Sequence, residues 1–172
     1  MVAETDDVAA WGEEQLLAPI GMTNSSWNRD PNGNALTFMG VQSNCRDLAR
    51  FGTLFLADGS WDGQQLVSPD WVAEATAPSQ ELNPQYGFLW WLNTPSDVDP
   101  NSDIEPNFGD NQRVPWPDVS TESYAAQGLG GQLVQVQPDT GIVLTRMGSV
   151  NSGNSPGAMT ALNPILMDAF SG

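Results

Sequence analysis

The sequence predicts an α+β domain, an antiparallel sheet with packed helices, and three observations carry that prediction. The run Ser123-Tyr-Ala-Ala-Gln-Gly-Leu-Gly-Gly-Gln132 reads as a strand ending in a glycine-rich corner. Beyond it, Leu133, Gln135 and Gln137 alternate with Val134 and Val136, and Ile142-Val-Leu-Thr145 returns after the turn residues Pro138-Asp139-Thr140-Gly141, which is the pattern of a hairpin. Upstream, several segments instead carry apolar residues at helical spacing behind capping residues.

Val8 to Leu17 is helix-like: Asp6 or Asp7 is placed to cap it, acids crowd its first half, and Pro19 ends it. A compact connection through Trp27 and a polar loop with turn dipeptides Asp30-Pro31 and Asn32-Gly33 lead to a second helix. That helix starts at Ser43 or Asn44, has Asp47 in its first turn, carries Leu48, Phe51, Leu54 and Phe55 on one face, and stops at Asp58-Gly59. Arg46 and Arg50 fall on the opposite face, where they are expected to pair with acids such as Asp47 or Asp58. Trp61 to Val67 reads as a short extended arm, and Ser68-Pro69-Asp70-Trp71 opens a third helix that ends before Pro78.

Gln85-Tyr-Gly-Phe-Leu-Trp-Trp-Leu92 is a buried strand candidate, with Tyr86 and the Trp90-Trp91 pair packing in the core and the two tryptophans on opposite faces. The sheet is then expected at residues 86–92, at 123–127 with 131–136, and at 141–147. Residues 93–122, with five Pro and many acids, show no periodicity and form a long loop, read as a rim over a site because it leads into Gly128; an ornamental insertion is the other reading. After a Gly/Ser/Asn linker, Pro156 to Phe170 reads as a terminal helix with Met159, Leu162, Ile165, Leu166 and Phe170 apolar and Pro164 inside it.

Composition removes whole classes of function. The chain has 172 residues, 40% of them hydrophobic, with seven Trp, enough for one domain with a core. Five Arg, no Lys and no His face 21 Asp and Glu, a net charge of −16, so neither nucleic acid nor an anionic membrane surface is an expected partner. Such a surface suits a protein kept soluble in high salt; plain acidic bias is the alternative. Without His there is no Ser-His-Asp triad and no imidazole ligand, and the single Cys45 excludes an intrachain disulfide or a Cys cluster, so no metal or cofactor is expected. Cys45 reads as a small semi-buried residue rather than a nucleophile, because no His or Lys is present to make it a thiolate. No stretch approaches the length of a membrane span, and the first residues carry no basic and apolar export signal.

Taken in order, Leu16-Leu-Ala-Pro-Ile-Gly-Met-Thr23, Ser43-Asn-Cys-Arg-Asp-Leu-Ala-Arg-Phe-Gly52, Gly59-Ser-Trp-Asp-Gly63 with Leu66-Val-Ser-Pro-Asp-Trp71, Tyr86-Gly-Phe-Leu-Trp-Trp91 and Gly128-Leu-Gly-Gly-Gln132 form a series. The series resembles the C-terminal half of the serine β-lactamase and penicillin-binding-protein-like hydrolases. Within them it looks most like the β-lactamase-related esterases and the 6-aminohexanoate-dimer hydrolase group. The resemblance covers nearly the whole chain and implies one partial domain, residues 1–172, of the β-lactamase/transpeptidase-like fold. It also implies an acyl hydrolase of small esters or amides that works without His. In that family the Ser of Ser-x-x-Lys attacks, the Lys and the Tyr of a Tyr-x-Asn or Tyr-x-Ser loop move protons, and backbone amides stabilise the oxyanion. Here there is no Lys, and neither Tyr86 nor Tyr124 stands in that context. The implied partner is therefore the N-terminal half of the same domain, without which this chain is inactive.

For the site, the resemblance places the family's Lys-Thr-Gly strand motif on Ala126-Gln127-Gly128, with Ala where a cationic clamp for a β-lactam carboxylate would stand. It implies the backbone N–H of Leu129 as the second oxyanion donor, with Gln127, Gly128, Gly130 and Gly131 binding substrate along an edge that no Cβ obstructs. A β-bulge is the structural alternative for these glycines. Gly40-Val41 matches a family turn near the site, so contact with substrate is a weaker expectation there. For the chain as a whole the alternatives are a non-catalytic binding or remnant module of the same fold, or a β-lactamase or DD-peptidase-type member. The missing lysine counts against the last.

Overall fold

The computed structural model describes residues 7–37, 39–96, 114–148 and 157–170, the last stretch with side chains at 163–169. In chain order the elements are α1 (Val8–Gly12), continued by a π-helical segment (Glu13–Leu17), β1 (Ser26–Trp27), β2 (Val41–Gln42), α2 (Cys45–Leu56), β3 (Ser60–Trp61), β4 (Gln64–Gln65) and α3 (Pro69–Ala75). There follow β5 (Trp91–Leu92), β6 (Tyr124–Gly128), β7 (Gln132–Gln137), β8 (Ile142–Arg146) and α4 (Gly157–Phe170). The last four strands form one antiparallel sheet in the order β5-β6-β7-β8. Among the described residues no helix is long and apolar enough to cross a membrane.

The helices α1, α2 and α3 begin where their caps dictate. Asp7 accepts the Ala10 N–H at 3.0 Å, Asn44 the Asp47 N–H at 2.9 Å and Ser68 the Trp71 N–H at 3.2 Å, each satisfying a donor the helix itself leaves free. Asp58 and Gly59 stop α2 in the left-handed region (φ 49° and 80°), and the Gly59 N–H closes on the Leu54 carbonyl at 2.8 Å.

The core sits on both faces of the sheet. Toward α2, Tyr124 and Val136 pack with Phe55, Val72, Ala75, Trp90 and Leu92. Trp90 lies 4.7 Å from the Phe55 ring, 5.1 Å from Tyr124 and stacked 6.1 Å from Phe51. Gly52 brings α2 onto the strands, since a Cβ there would lie 2.5 Å from Val143 Cγ1 and 2.9 Å from Val134 Cγ1. On the opposite face Ala125 and Leu133 pack with Trp116 and Val119, and Met167 of α4 reaches this cluster. Leu17, Ile20 and Met22 close over Leu54 on the remaining side of α2.

Four expectations are corrected. Residues 86–92 are not one strand: Tyr86 bridges Trp91, the Gly87 N–H reaches the Trp90 carbonyl at 2.9 Å, and the Leu92 N–H reaches that of Gln85 at 2.9 Å. The chain doubles back through Leu89 (φ 65°) because α3 claims the turn: the Phe88 N–H donates to the Ala75 carbonyl at 3.0 Å, and a Cβ on Gly87 would collide with that same oxygen. Trp61 to Val67 is not an arm, because Asp62-Gly63, both left-handed (φ 47° and 78°), close β3 onto β4. Cys45 is exposed rather than semi-buried; at about 100° per residue only Asp47 of the first turn points inward, leaving Cys45 and Arg46 outside. In α4 the inward positions are Asn163 and Met167, four residues apart, so Ile165 is turned out and 65% exposed. The expectations for Met159, Leu162 and Phe170, and for most of the 93–122 loop, lie outside the described residues. The loop's described ends are tied together by Asn93, whose amide donates to the carbonyls of Trp116, Val119 and Ser120 and accepts the Trp116 N–H at 2.7 Å.

Candidate active-site corner

Successive residues of a strand aim their N–H and C=O groups at alternate edges. The Gly128 carbonyl accepts the Gly131 N–H at 3.1 Å, on the β7 side, whereas the Ser123 carbonyl accepts the Asn93 N–H at 2.9 Å, on the β5 side. Tyr124, Ala126 and Gly128 therefore serve β7, and Ala125 and Gln127 serve the other edge. That edge is covered by β5 only opposite Tyr124 and Ala125. Gln127 and Gly128 are exposed, no strand pairs with the edge at Gln127 among the described residues, and Leu129 follows as the first residue of the turn. Its side chain is 94% exposed, and its N–H has no backbone acceptor among the described residues.

The glycines make this edge end abruptly. The ladder runs unbroken from Tyr124↔Val136 to Gly128↔Gln132, which leaves Leu129-Gly130-Gly131 as a three-residue hairpin loop with a left-handed Gly131 at its end, the position of a G1 bulge. Gly130 and Gly131 both adopt left-handed angles, φ 79° and 83°, that side chains with a Cβ rarely accept. The loop is held by Gln132, which closes the glycine motif in the sequence, and by Arg146, to which sequence reasoning gave no role. Arg146 Nη1 donates to the Gly131 carbonyl at 2.6 Å and to the Gly148 carbonyl at 3.3 Å. Gln132 accepts the Gly148 N–H on Oε1 at 2.9 Å and donates from Nε2 to the Gly148 carbonyl at 3.4 Å. A strand-terminal Arg one pair beyond a glycine corner is the only sequence signal for this arrangement.

Other groups with chemical potential are engaged structurally. A shallow depression lined by Thr23, Asn24, Asn44, Cys45, Arg46, Asp47 and Arg50 opens at the start of α2. Its floor is the buried Asp47 carboxylate, which accepts the Asn24 N–H at 2.8 Å, the Ser25 hydroxyl at 3.0 Å and Arg50 at 3.0 Å. Arg50 thus pairs with an acid, as its helix position suggested. Burial, reinforced by the Asp58 charge, pushes the Tyr124 phenol well above its ordinary value, so Tyr124 serves as core, while the half-buried Tyr86 packs edge-on against Trp91. Gly40 makes a left-handed turn (φ 86°) into β2, which pairs with β1.

The four-stranded sheet, the α2 helix laid on one face and the C-terminal helix on the other define the β-lactamase/transpeptidase-like fold. In particular, the chain superposes on a protein described as a 6-aminohexanoate-dimer hydrolase from Bacillus anthracis (TM-score 0.62, 17% identity, 91% of this chain and 36% of that one). It is similar to one described as a β-lactamase from Bacteroides dorei (0.61, 15%, 93% and 50%) and to a β-lactamase from Mycobacterium bovis (0.64, 16%, 96% and 57%). The likeness is one of fold, and the chain spans between about a third and just over half of those chains. No family model and no curated protein matches the sequence.

Proposed function

We propose that this chain is the C-terminal, oxyanion-strand portion of a serine acyl hydrolase that cleaves small esters or amides through an acyl-enzyme, with the Leu129 N–H as one of two donors to the tetrahedral oxyanion. The observation that carries the reading is the outer edge of β6, which among the described residues is unpaired past Ala125 and leads to an N–H with no backbone acceptor at the lip of a glycine loop. A seryl oxygen adding to the substrate carbonyl converts that carbonyl into an oxyanion. The Leu129 N–H and the nucleophile's own amide hold this charge before water releases the acyl group. One such donor contributes about 3–4 kcal/mol of barrier lowering. Gln127 presents its backbone to the same edge, where its carbonyl accepts an N–H from an amide substrate. Gly128, Gly130 and Gly131 leave room for the acyl chain. The route needs no cofactor.

The nucleophile and both proton carriers come, in this reading, from sequence beyond these 172 residues, since the chain contains no Lys. Ala126 in place of the cationic residue favours neutral esters and amides over β-lactams. The test is to read the coding frame upstream of Met1 and assay the longer product on p-nitrophenyl esters and short amides. A continuous frame with Ser-x-x-Lys and ester turnover supports the proposal. A nearby stop codon, or a longer product with no turnover, would instead favour a binding or remnant module, the reading that the lack of any nucleophile motif here keeps open.

A further inference from the structure

The contacts of Arg146 and Gln132 go beyond anything the hydrolase reading requires of them. Arg146 ends β8 in register with Leu133, yet its guanidinium is directed onto the Gly131 and Gly148 carbonyls. In a chain with 21 acids and five Arg this is an unusual use of a cation. Arg29 and Arg50 pair with Asp7 and Asp47, whereas among the described residues no carboxylate forms an ion pair with Arg146. Gln132 completes the arrangement by bonding the Gly148 backbone in both directions. The loop itself has little to select one shape, because glycine at 130 and 131 opens many backbone conformations as readily as the observed one. A charge-assisted bond to the carbonyl at the loop's C-terminal end supplies that selection.

We propose that Arg146 is a positioning residue: with Gln132 it clasps Gly131 and Gly148 and so fixes the direction of the Leu129 N–H. What that N–H is used for rests on the hydrolase reading; the clasp does not.

Two arms test the pair of claims separately. By hydrogen exchange on this chain, Arg146→Met should speed exchange across residues 128–132 by about tenfold or more while 133–137 change less than about twofold, because the clasp and not the ladder is lost. Gln132→Ala should give a smaller rise, and Arg146→Lys should recover part of the protection. Unchanged exchange in Arg146→Met and Gln132→Ala, or a rise spread evenly over β6 to β8, overturns the clasp. In the longer, hydrolytic protein, Arg146→Met should lower kcat about tenfold or more with KM nearly constant, since a misaimed donor costs mainly transition-state stabilisation. Turnover by the wild type with an unaltered kcat in Arg146→Met overturns the positioning role. Absence of wild-type turnover overturns the hydrolase reading and the catalytic use of the loop, and the exchange arm then decides the clasp alone.

Discussion

Adjacent residues of β7 sit in opposite chemistries. Val134 and Val136 face α2, where Trp90, Phe51, Phe55 and Tyr124 interlock around a helix brought close by Gly52. Gln135 and Gln137, equally buried, face the other way, where Gln137 meets both Gln135 and Asn163 of α4. The first face is packed by apolar and aromatic side chains. The second is a chain of amides in which Gln137 Nε2 donates to Gln135 Oε1 at 3.2 Å and approaches Asn163 Oδ1 at 3.5 Å, while Gln135 Nε2 and Asn163 Nδ2 find no partner among the described residues. The difference teaches that the two faces hold the sheet by different means: interlocked aromatics toward α2, and on the α4 side an apolar cluster around Trp116 and Leu133 beside the amides. On the α4 side, unpaired amide donors offset part of what burial contributes.

The comparison breaks most sharply at Trp90. Trp90→Ala removes the ring shared by three aromatic neighbours and should cost about 3–5 kcal/mol, read from the urea unfolding midpoint. Asp47→Ala should cost roughly 2–4 kcal/mol in the same measurement. It leaves Arg50 unpaired and strips the Asn24 N–H and Ser25 hydroxyl of their acceptor, loosening the start of α2. On the polar face the effect should be smaller: Gln135→Leu removes an unsatisfied donor but also the Oε1 that accepts Gln137 Nε2, and the two changes should offset to within about 1 kcal/mol. A loss as large as that of Trp90→Ala would mean the two faces contribute alike.

The smallest effect lies at the rim. The Ala10 N–H, then the Arg29 guanidinium, hold the Asp7 carboxyl below the usual carboxylate range. A depressed folded pKa gives stability that is present above the unfolded value and lost as pH falls through the folded one, so the anchor should weaken below about pH 4. Asp7→Asn should flatten that part of the pH–stability curve and leave the neutral plateau nearly unchanged, because the pair is exposed.

Much of this organisation is legible in residues whose chemistry is local. Asp7, Asn44 and Ser68 announce helix starts, Asp58-Gly59 a stop, and the alternation from Leu133 to Gln137 a strand with two faces. The Leu129-Gly130-Gly131 loop is readable from its glycines alone. What escapes is set by distant partners. Phe88-Leu89 carries none of the usual turn residues and bends because α3 takes the Phe88 N–H. Asn163 turns inward in place of Ile165 because the facing strand presents Gln137. Arg146 reaches Gly131 across fifteen residues of sequence, a contact no periodicity encodes. Asp62-Gly63 is the exception, a hairpin turn whose signal was present and local.

The most direct measurement compares two changes at one position in the longer, hydrolytic protein. Leu129→Ala trims a side chain that is 94% exposed and keeps the backbone N–H, whereas Leu129→Pro removes that N–H. With an oxyanion donor at this place, Leu129→Ala should turn over esters at close to the wild-type kcat, and Leu129→Pro should fall by about 10²–10³ with its folding midpoint little changed. Equal activity in the two variants would contradict the account.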